Sequence, residues 1–219
     1  MVDATLESNN PRKGEVLYTP ARQIERLARY EGQPVRVRDV TTLLLKERII
    51  FLPNRIDEDV TRSIVGMLLH LEREDPNRDI QLYIDCEGEL EGHFYYGLGI
   101  YDTMQYIKPD IVTVCVGVAQ GVAAAFLAGG TKGKRYCLPH SSVVLNQPYS
   151  GVQGQASEIE IRAREVLRQR NVFHEILAEH TGQPVERIKE DADRRNYMTA
   201  QQALEYGLVD EIFTPRKNK

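Results

Sequence analysis

The run from Ile111 to Ala128, Ile-Val-Thr-Val-Cys-Val-Gly-Val-Ala-Gln-Gly-Val-Ala-Ala-Ala-Phe-Leu-Ala, has the order in which hydrolytic enzymes place a reacting group. A β-branched stretch, a turn bracketed by Gly117 and Gly121, and an Ala-rich stretch predict a buried strand turning sharply into a helix. Such an elbow exposes one side chain beside free helix N–H groups, where a nucleophile can attack a carbonyl and its oxyanion can be held. Here the apex falls on Gly121, which has no side chain. Two other groupings hold nucleophiles. His140, Ser141 and Ser142 are adjacent, but neighbours on a strand point to opposite faces, so His140 does not serve Ser141. Cys86 and His93 flank Glu87, Glu89 and Glu91, and that negative charge raises a thiol pKa rather than lowering it.

The elbow needs elements to hold it, and the apolar pattern supplies them. Arg48–Leu52, Asp79–Ile84, Lys134–Leu138, Val143–Gln147 and Leu208–Phe213 read as strands. Asp57 is placed to cap a helix whose stripe is Val60, Ile64, Met67, Leu68 and Leu71, with Glu58 and Asp59 in the dipole-favoured first turn. Gly97 to Ile107 and Val122 to Ala128 read as helices. The longest helix is predicted from a capping box at Ser157-Glu-Ile-Glu160 to a stop at Gly182, and a second box, Thr199-Ala-Gln-Gln202, opens a short helix ended by Gly207. Arg22 to Tyr30 has the spacing of a short helix within an otherwise irregular arm. Strand and helix alternate, which predicts an α/β fold with a largely parallel sheet.

Composition narrows the function classes. The 219 residues carry a net charge of -4 from interspersed signs, which argues against a basic nucleic-acid or membrane surface. Three widely spaced cysteines and five scattered histidines form neither a disulfide framework nor a zinc site, so no cofactor and no metal are expected. Ile111 to Thr131 lacks charge over a length that could span a bilayer, but its break into a strand and a helix favours a buried core instead. Met1 to Lys13 is polar, without the marks of a signal or transit peptide, and a cytoplasm-like location is expected.

A set of motifs in fixed order resembles the Clp protease proteolytic subunit. They are Leu45-Lys-Glu-Arg-Ile-Ile-Phe-Leu52, Ile100-Tyr-Asp-Thr-Met-Gln-Tyr-Ile-Lys-Pro-Asp110, Gly133-Lys-Arg135, Asn146-Gln-Pro148, Gly154-Gln-Ala156, Glu158-Ile-Glu-Ile161, His180-Thr-Gly-Gln-Pro184 and Glu205-Tyr-Gly-Leu-Val-Asp210. They cover residues 43 to 213. The resemblance implies the Clp protease/crotonase-like fold, a superhelix of ββα units with a protruding strand-helix handle at about 147–181. It also implies an N-terminal arm over 1–35 facing the axial pore, one proteolytic-subunit-like domain over 36–213 and a tail over 214–219.

In that family the Ser of Gly-x-Ala-x-Ser-Met-Gly falls on Gly121, the His before Gln-Pro on Asn146 and the triad Asp on Arg195. Glycine cannot attack a carbonyl, asparagine does not take up a proton near neutral pH, and arginine cannot accept a base's N–H. The loop Asp85-Cys-Glu-Gly-Glu-Leu-Glu-Gly92 replaces the family's Asn-Ser-Pro-Gly-Gly, placing negative charge where an oxyanion develops. The chain therefore resembles most the degenerate ClpR paralogues of cyanobacteria and plastids, and the expectation is a non-enzymatic structural subunit of the protease core. Its location is then the cyanobacterial cytoplasm, or the plastid stroma if plastid-encoded.

By the same resemblance the partners are an active ClpP-type paralogue in a tetradecamer of two heptameric rings, an AAA+ unfoldase such as ClpC, and protein substrates passing through the chamber. Neither nucleic acid nor membrane is expected as a partner. The family's unfoldase-docking cleft falls on Tyr83, Tyr106, Val114, Val116, Tyr136, Leu138 and Phe213, with Gln81 at one further position. Its ring-to-ring contacts fall on Gln155, Glu158, Arg195 and Asn196, where Arg195-Asn196 replaces an Asp-Arg pair. The alternatives are a peptidase with a relocated nucleophile, a crotonase-like acyl-CoA binder and a free-standing structural protein.

Overall fold

The computed structural model describes residues 29–30, 33–34, 37–89, 94–148, 151 and 153–213. The expected arm up to residue 28, the tail from residue 214 and His93 lie outside them. The chain divides into two compact units, 1–43 and 44–219. In the first, β1 (Arg29–Tyr30) pairs antiparallel with β2 (Gln33–Pro34), so the end of the helix expected over Arg22 to Tyr30 is a strand. A helix α1, Val37–Lys46, crosses the boundary between the units.

The second unit is built on seven strands. β3 (Ile49–Leu52), β4 (Ile80–Cys86), β5 (Ile111–Gln120), β6 (Arg135–Cys137) and β9 (Glu211–Ile212) lie side by side, all parallel. The far end of β5 pairs instead with β7 (Ser142–Leu145), and β7 carries β8 (Asn196–Thr199) antiparallel on its other edge. The largely parallel α/β sheet expected from the sequence is thus present, with one antiparallel strand. Parallel neighbours need crossovers, and these are α2 (Glu58–Glu74), α3 (Phe94–Tyr106) and α4 (Val122–Ala128). α4 is buried at every position, which is why its sequence is apolar and small throughout.

Several local signals act as the sequence predicts. Asp57 Oδ1 accepts the Val60 N–H at 2.8 Å, and Thr199 with Gln202 forms a complete capping box on α7 (Ala200–Tyr206). The long helix α5, Ala156–Thr181, ends on Gly182 in the left-handed conformation. Its start differs from the reading: Ile159 N–H already donates to the Gln155 carbonyl at 3.0 Å, so Gln155 and not Ser157 is the cap residue, and no side chain caps it. β8 and the short helix α6 (Val185–Asp191) carry too few apolar periods to be read from sequence, whereas α1 has Val37, Val40, Leu43 and Leu44 at helical spacing.

Two buried cations lock the scaffold. Arg48 is 2% exposed and donates to the carbonyls of Leu71, Asp75, Arg78 and Asp79, tying the end of α2 to the sheet. Arg135 grips Asp210 through Nε at 2.9 Å and Nη2 at 2.6 Å, and its Nη1 reaches the carbonyls of Ala128 and His180. The first three turns of α5 are exposed on all sides, with Ile159 and Ile161 among the exposed residues, the outline of a handle. The uncharged stretch 111–131 is β5 and α4, and no helix among the described residues is long and apolar enough to cross a membrane.

Candidate functional site

The strand β5 runs four residues further than its β-branched core, through Gly117 to Gln120, because β7 pairs with its last three residues. The elbow is therefore one residue, Gly121, at φ +57 and ψ -126, a conformation that favours glycine. Its N–H donates to the Val144 carbonyl at 3.1 Å, and its own carbonyl accepts the first α4 bond from Ala124. A Cβ at Gly121 would stand 3.5 Å from Asn146 Oδ1. The antiparallel register pairing Leu145 with Asn196 sets Arg195 opposite Asn146, one step beyond the ladder. Asn146 and Arg195 line one cavity of about 400 Å³ with Arg55, Glu87, Glu89, Val118, Gln120 and Tyr197. Asn146 and Arg195, far apart in sequence, thus line one cavity, and Gly121 lies next to Asn146 at its edge.

Glu89 is the residue whose role the sequence alone did not single out from its acidic neighbours. Gly88, at φ +92, turns the loop so tightly that a Cβ would lie 2.7 Å from the Gln120 carbonyl oxygen, and Ile56 N–H holds its carbonyl at 3.0 Å. This turn delivers Glu89 to the elbow, where the carboxylate accepts the Val122 N–H at 3.2 Å. Glu89 is 8% exposed, and its burial pushes the carboxyl pKa up against the pull of that N–H. Glu87, by contrast, points to solvent and pairs with Arg55 at 2.8 Å. The expected placement of negative charge at the elbow therefore rests on one carboxylate of the described loop; Glu91 lies outside the described residues.

Neither alternative nucleophile is poised. Cys86 is fully buried and its thiol is pushed up to about 12, first by that burial and then by Glu89, Asp85 and Glu87. Ser141 is buried with its hydroxyl donating to the Leu138 carbonyl at 2.8 Å, while His140 is exposed. Among the described residues no group of three or more His, Cys, Asp or Glu is placed to hold a metal. Asn146 Oδ1 is buried without a hydrogen-bond partner.

The second grouping lies on the sheet. Phe51, Tyr83, Val114 and Tyr136 are direct neighbours across β3, β4, β5 and β6, so they form one row on one face. Phe51 and Tyr83 are stacked at 6.1 Å, Tyr136 and Phe213 at 4.5 Å, and Tyr106 is 82% exposed. Val116 and Leu138 are half-buried. Val114 is only 2% exposed, so it is the floor of the row and not a contact residue, because aromatic rings on both neighbouring strands cover it. Phe51, 51% exposed, was not among the expected cleft residues; the signal was its outward place between buried Ile50 and Leu52. Gln81 stands beside Tyr83, with the tyrosine hydroxyl 3.5 Å from its Oε1. Of the expected ring-to-ring residues, Gln155 and Glu158 lie exposed at the start of α5, and Arg195 and Asn196 at the start of β8.

A strand-to-helix elbow on a covered, largely parallel sheet, with three sequence-distant positions gathered beside it, defines a hydrolase-like α/β subunit. The Clp protease family model matches residues 31–216, and the chain belongs to that family. It is similar to an ATP-dependent Clp protease proteolytic subunit of Dehalococcoides mccartyi strain ATCC BAA-2266 / KCTC 15142 / 195. The two are 51% identical over 184 residues, covering 84% of this chain and 90% of that one. This relative corrects the expectation that the chain is no enzyme. A protein 51% identical, over 90% of its own length, carries the name of a proteolytic subunit.

Proposed function

We propose that this chain is a subunit of the proteolytic core of an ATP-dependent Clp protease. It is built with an active ClpP-type paralogue into two stacked heptameric rings, and an AAA+ unfoldase such as ClpC docks on its aromatic row. The observation that carries this reading is the row itself, Phe51, Tyr83 and Tyr136 with Phe213 stacked on Tyr136. Rings held partly in water on a rigid sheet are suited to anchor the apolar side chains of a partner's loop. The fold supports the reading because Phe51, Tyr83 and Tyr136 stand on strands fixed by their neighbours.

Gly121, Asn146 and Arg195 stand, in this reading, at the positions that the family fills with its Ser, His and Asp, a pattern like that of the ClpR-type paralogues. The mixed ring follows from Arg195. With Arg195-Asn196 in place of the family's Asp-Arg pair, the like-for-like contact with an identical copy is lost, while Arg195 can meet an acidic residue of a paralogue. Gln155 and Glu158 on the exposed start of α5 supply the opposing half of that contact. Unfolded protein passes through the rings and is hydrolysed within the assembled core, in a cytoplasmic setting.

The test is co-expression with a ClpP-type paralogue from the same cell, followed by native mass spectrometry and peptide-hydrolysis assays of each chain alone and of the complex. A heptamer containing both chains in fixed ratio, active in hydrolysis and bound by the unfoldase, is the expected result. Failure of this chain to enter any ring removes the reading.

A further inference from the structure

β5 and β6 are parallel neighbours, and their register sets Cys115 directly opposite Cys137. Neighbouring strands lie about 4.8 Å apart, inside the Cα separation that a disulfide spans. Both thiols are free and fully buried on the core side of the sheet, opposite the face that carries Val114 and Tyr136. Cys115 Sγ lies 3.8 Å from the Ser142 carbonyl oxygen, and the two thiols are close enough to shift each other's titration. We propose that Cys115 and Cys137 are a dithiol pair that a hydroperoxide oxidises reversibly to a disulfide.

The two sulfurs are not equivalent, which sets the order of events. The neighbouring Cys115 holds the Cys137 thiol low, whereas Cys115 is raised by Cys137 and by burial. Cys137 is therefore the attacking thiolate. It takes one oxygen of the hydroperoxide, the O–O bond breaks, and water or an alcohol leaves, giving a sulfenic acid on Cys137. Cys115 then attacks that sulfur, the S–O bond breaks, and a second water leaves as the S–S bond forms. Two thiols lose two electrons and two protons in all, and the hydroperoxide is reduced.

Cys86, the third cysteine, has no such partner. Its register neighbour is Ala119, and burial, together with the surrounding carboxylates, pushes its thiol up to about 12. A disulfide between neighbouring parallel strands must draw the Cβ atoms closer than the sheet spacing sets them, and strain of that kind makes the bond easily reduced again. Reversibility of this sort suits a compartment in which disulfides are transient. The consequence lies on the opposite face. Tyr136 and Val114 immediately precede the two cysteines, and Phe213 N–H donates to the Cys137 carbonyl at 2.9 Å, so drawing β5 and β6 together shifts the aromatic row. This second step rests on the docking role proposed above.

The experiment exposes the full chain to hydrogen peroxide, alkylates the remaining thiols after denaturation and maps the peptides by mass spectrometry. The expected product is a loss of about 2 mass units in a cross-linked pair joining Cys115 to Cys137, with Cys86 alkylated and full recovery on adding dithiothreitol. Cys115→Ser should divert Cys137 to a trapped sulfenic acid. All three thiols remaining alkylatable, or a cross-link involving Cys86, would overturn the proposal, and this readout needs neither ring nor unfoldase. Unfoldase binding by the oxidised and reduced chains tests the second step: weaker binding on oxidation supports it, and equal binding overturns it. No binding by the reduced chain removes the docking reading and leaves the dithiol result standing.

Discussion

Glu89 Oε2 stands 3.0 Å from the point that a Cβ on Gly121 would occupy, so a carboxylate from a distant loop fills the apex of the elbow in place of a side chain of the elbow itself. Gly121→Ser must therefore displace Glu89 while adopting a positive φ. Its expected cost is about 1 to 3 kcal/mol by urea denaturation. Added to a Glu89→Ala background, the same substitution should cost measurably less, since the crowding partner is gone. Equal costs in both backgrounds would mean that Glu89 is not what fills the apex.

The same carboxyl predicts a pH dependence. Its pKa in the folded chain lies above the unfolded value, so its contribution to stability is fully present below about pH 4.5 and declines as pH rises through the folded pKa. Glu89→Gln keeps the shape and removes the charge. At pH 8 it is expected to stabilise the chain by about 1 kcal/mol, and the gain should vanish at pH 4. A gain independent of pH points to packing and not to charge.

Arg135 and Asp210 form a largely buried ion pair, Nη2 to Oδ1 at 2.6 Å. Burial alone would raise the Asp210 pKa, but the Arg135 guanidinium and the N–H groups of Gly133 and Arg135 outweigh it and hold the carboxyl low. Asp210→Ala leaves a buried arginine unpaired and is expected to destabilise by about 3 to 5 kcal/mol. With the folded pKa depressed, the stability that Asp210 supplies is present above its unfolded value of 3.8 and lost as pH falls below it. Acid melting curves of the wild type and Asp210→Ala should accordingly converge at low pH.

His174 is 3% exposed, and both of its ring nitrogens are buried without partners. Burial, helped by the charges of Arg170 and Lys189, lowers its pKa from 6.5 to about 4. A neutral imidazole is therefore required for folding. Stability is intact above pH 6.5 and declines as pH falls toward 4, by about 2 to 3 kcal/mol in all. His174→Asn, which cannot be protonated in this range, should flatten the stability profile between pH 7 and 5. A wild-type profile already flat there would refute the assignment.

Tyr106 separates docking from folding. With 82% of its surface exposed it contributes little to the core, so Tyr106→Ala should leave the melting temperature within about 1 °C. Binding of the unfoldase should fall by roughly tenfold or more if the ring is an anchor of the row. Tyr136→Ala, which also loses the stacking on Phe213, should affect both readouts. Unchanged unfoldase binding in both variants would place docking elsewhere.

Period and punctuation in the sequence determined most of the scaffold. The alternation in Ile80-Gln-Leu-Tyr-Ile-Asp-Cys86, the Asp57 cap, the Thr199 box and the Gly182 stop are local signals, and each acts over a few residues through hydrogen bonds or burial that its own neighbours supply. The elbow was legible for the same reason. What only the tertiary structure decided is which side chains meet. Glu89 reaches Val122 across 33 positions of sequence because Gly88 turns against the Gln120 carbonyl. Phe51 joins Tyr83 and Tyr136 because four strands run parallel in one register, and that register also sets Cys115 against Cys137. Strand order and register depend on how helices pack into crossovers between distant segments, and no local pattern encodes that distance.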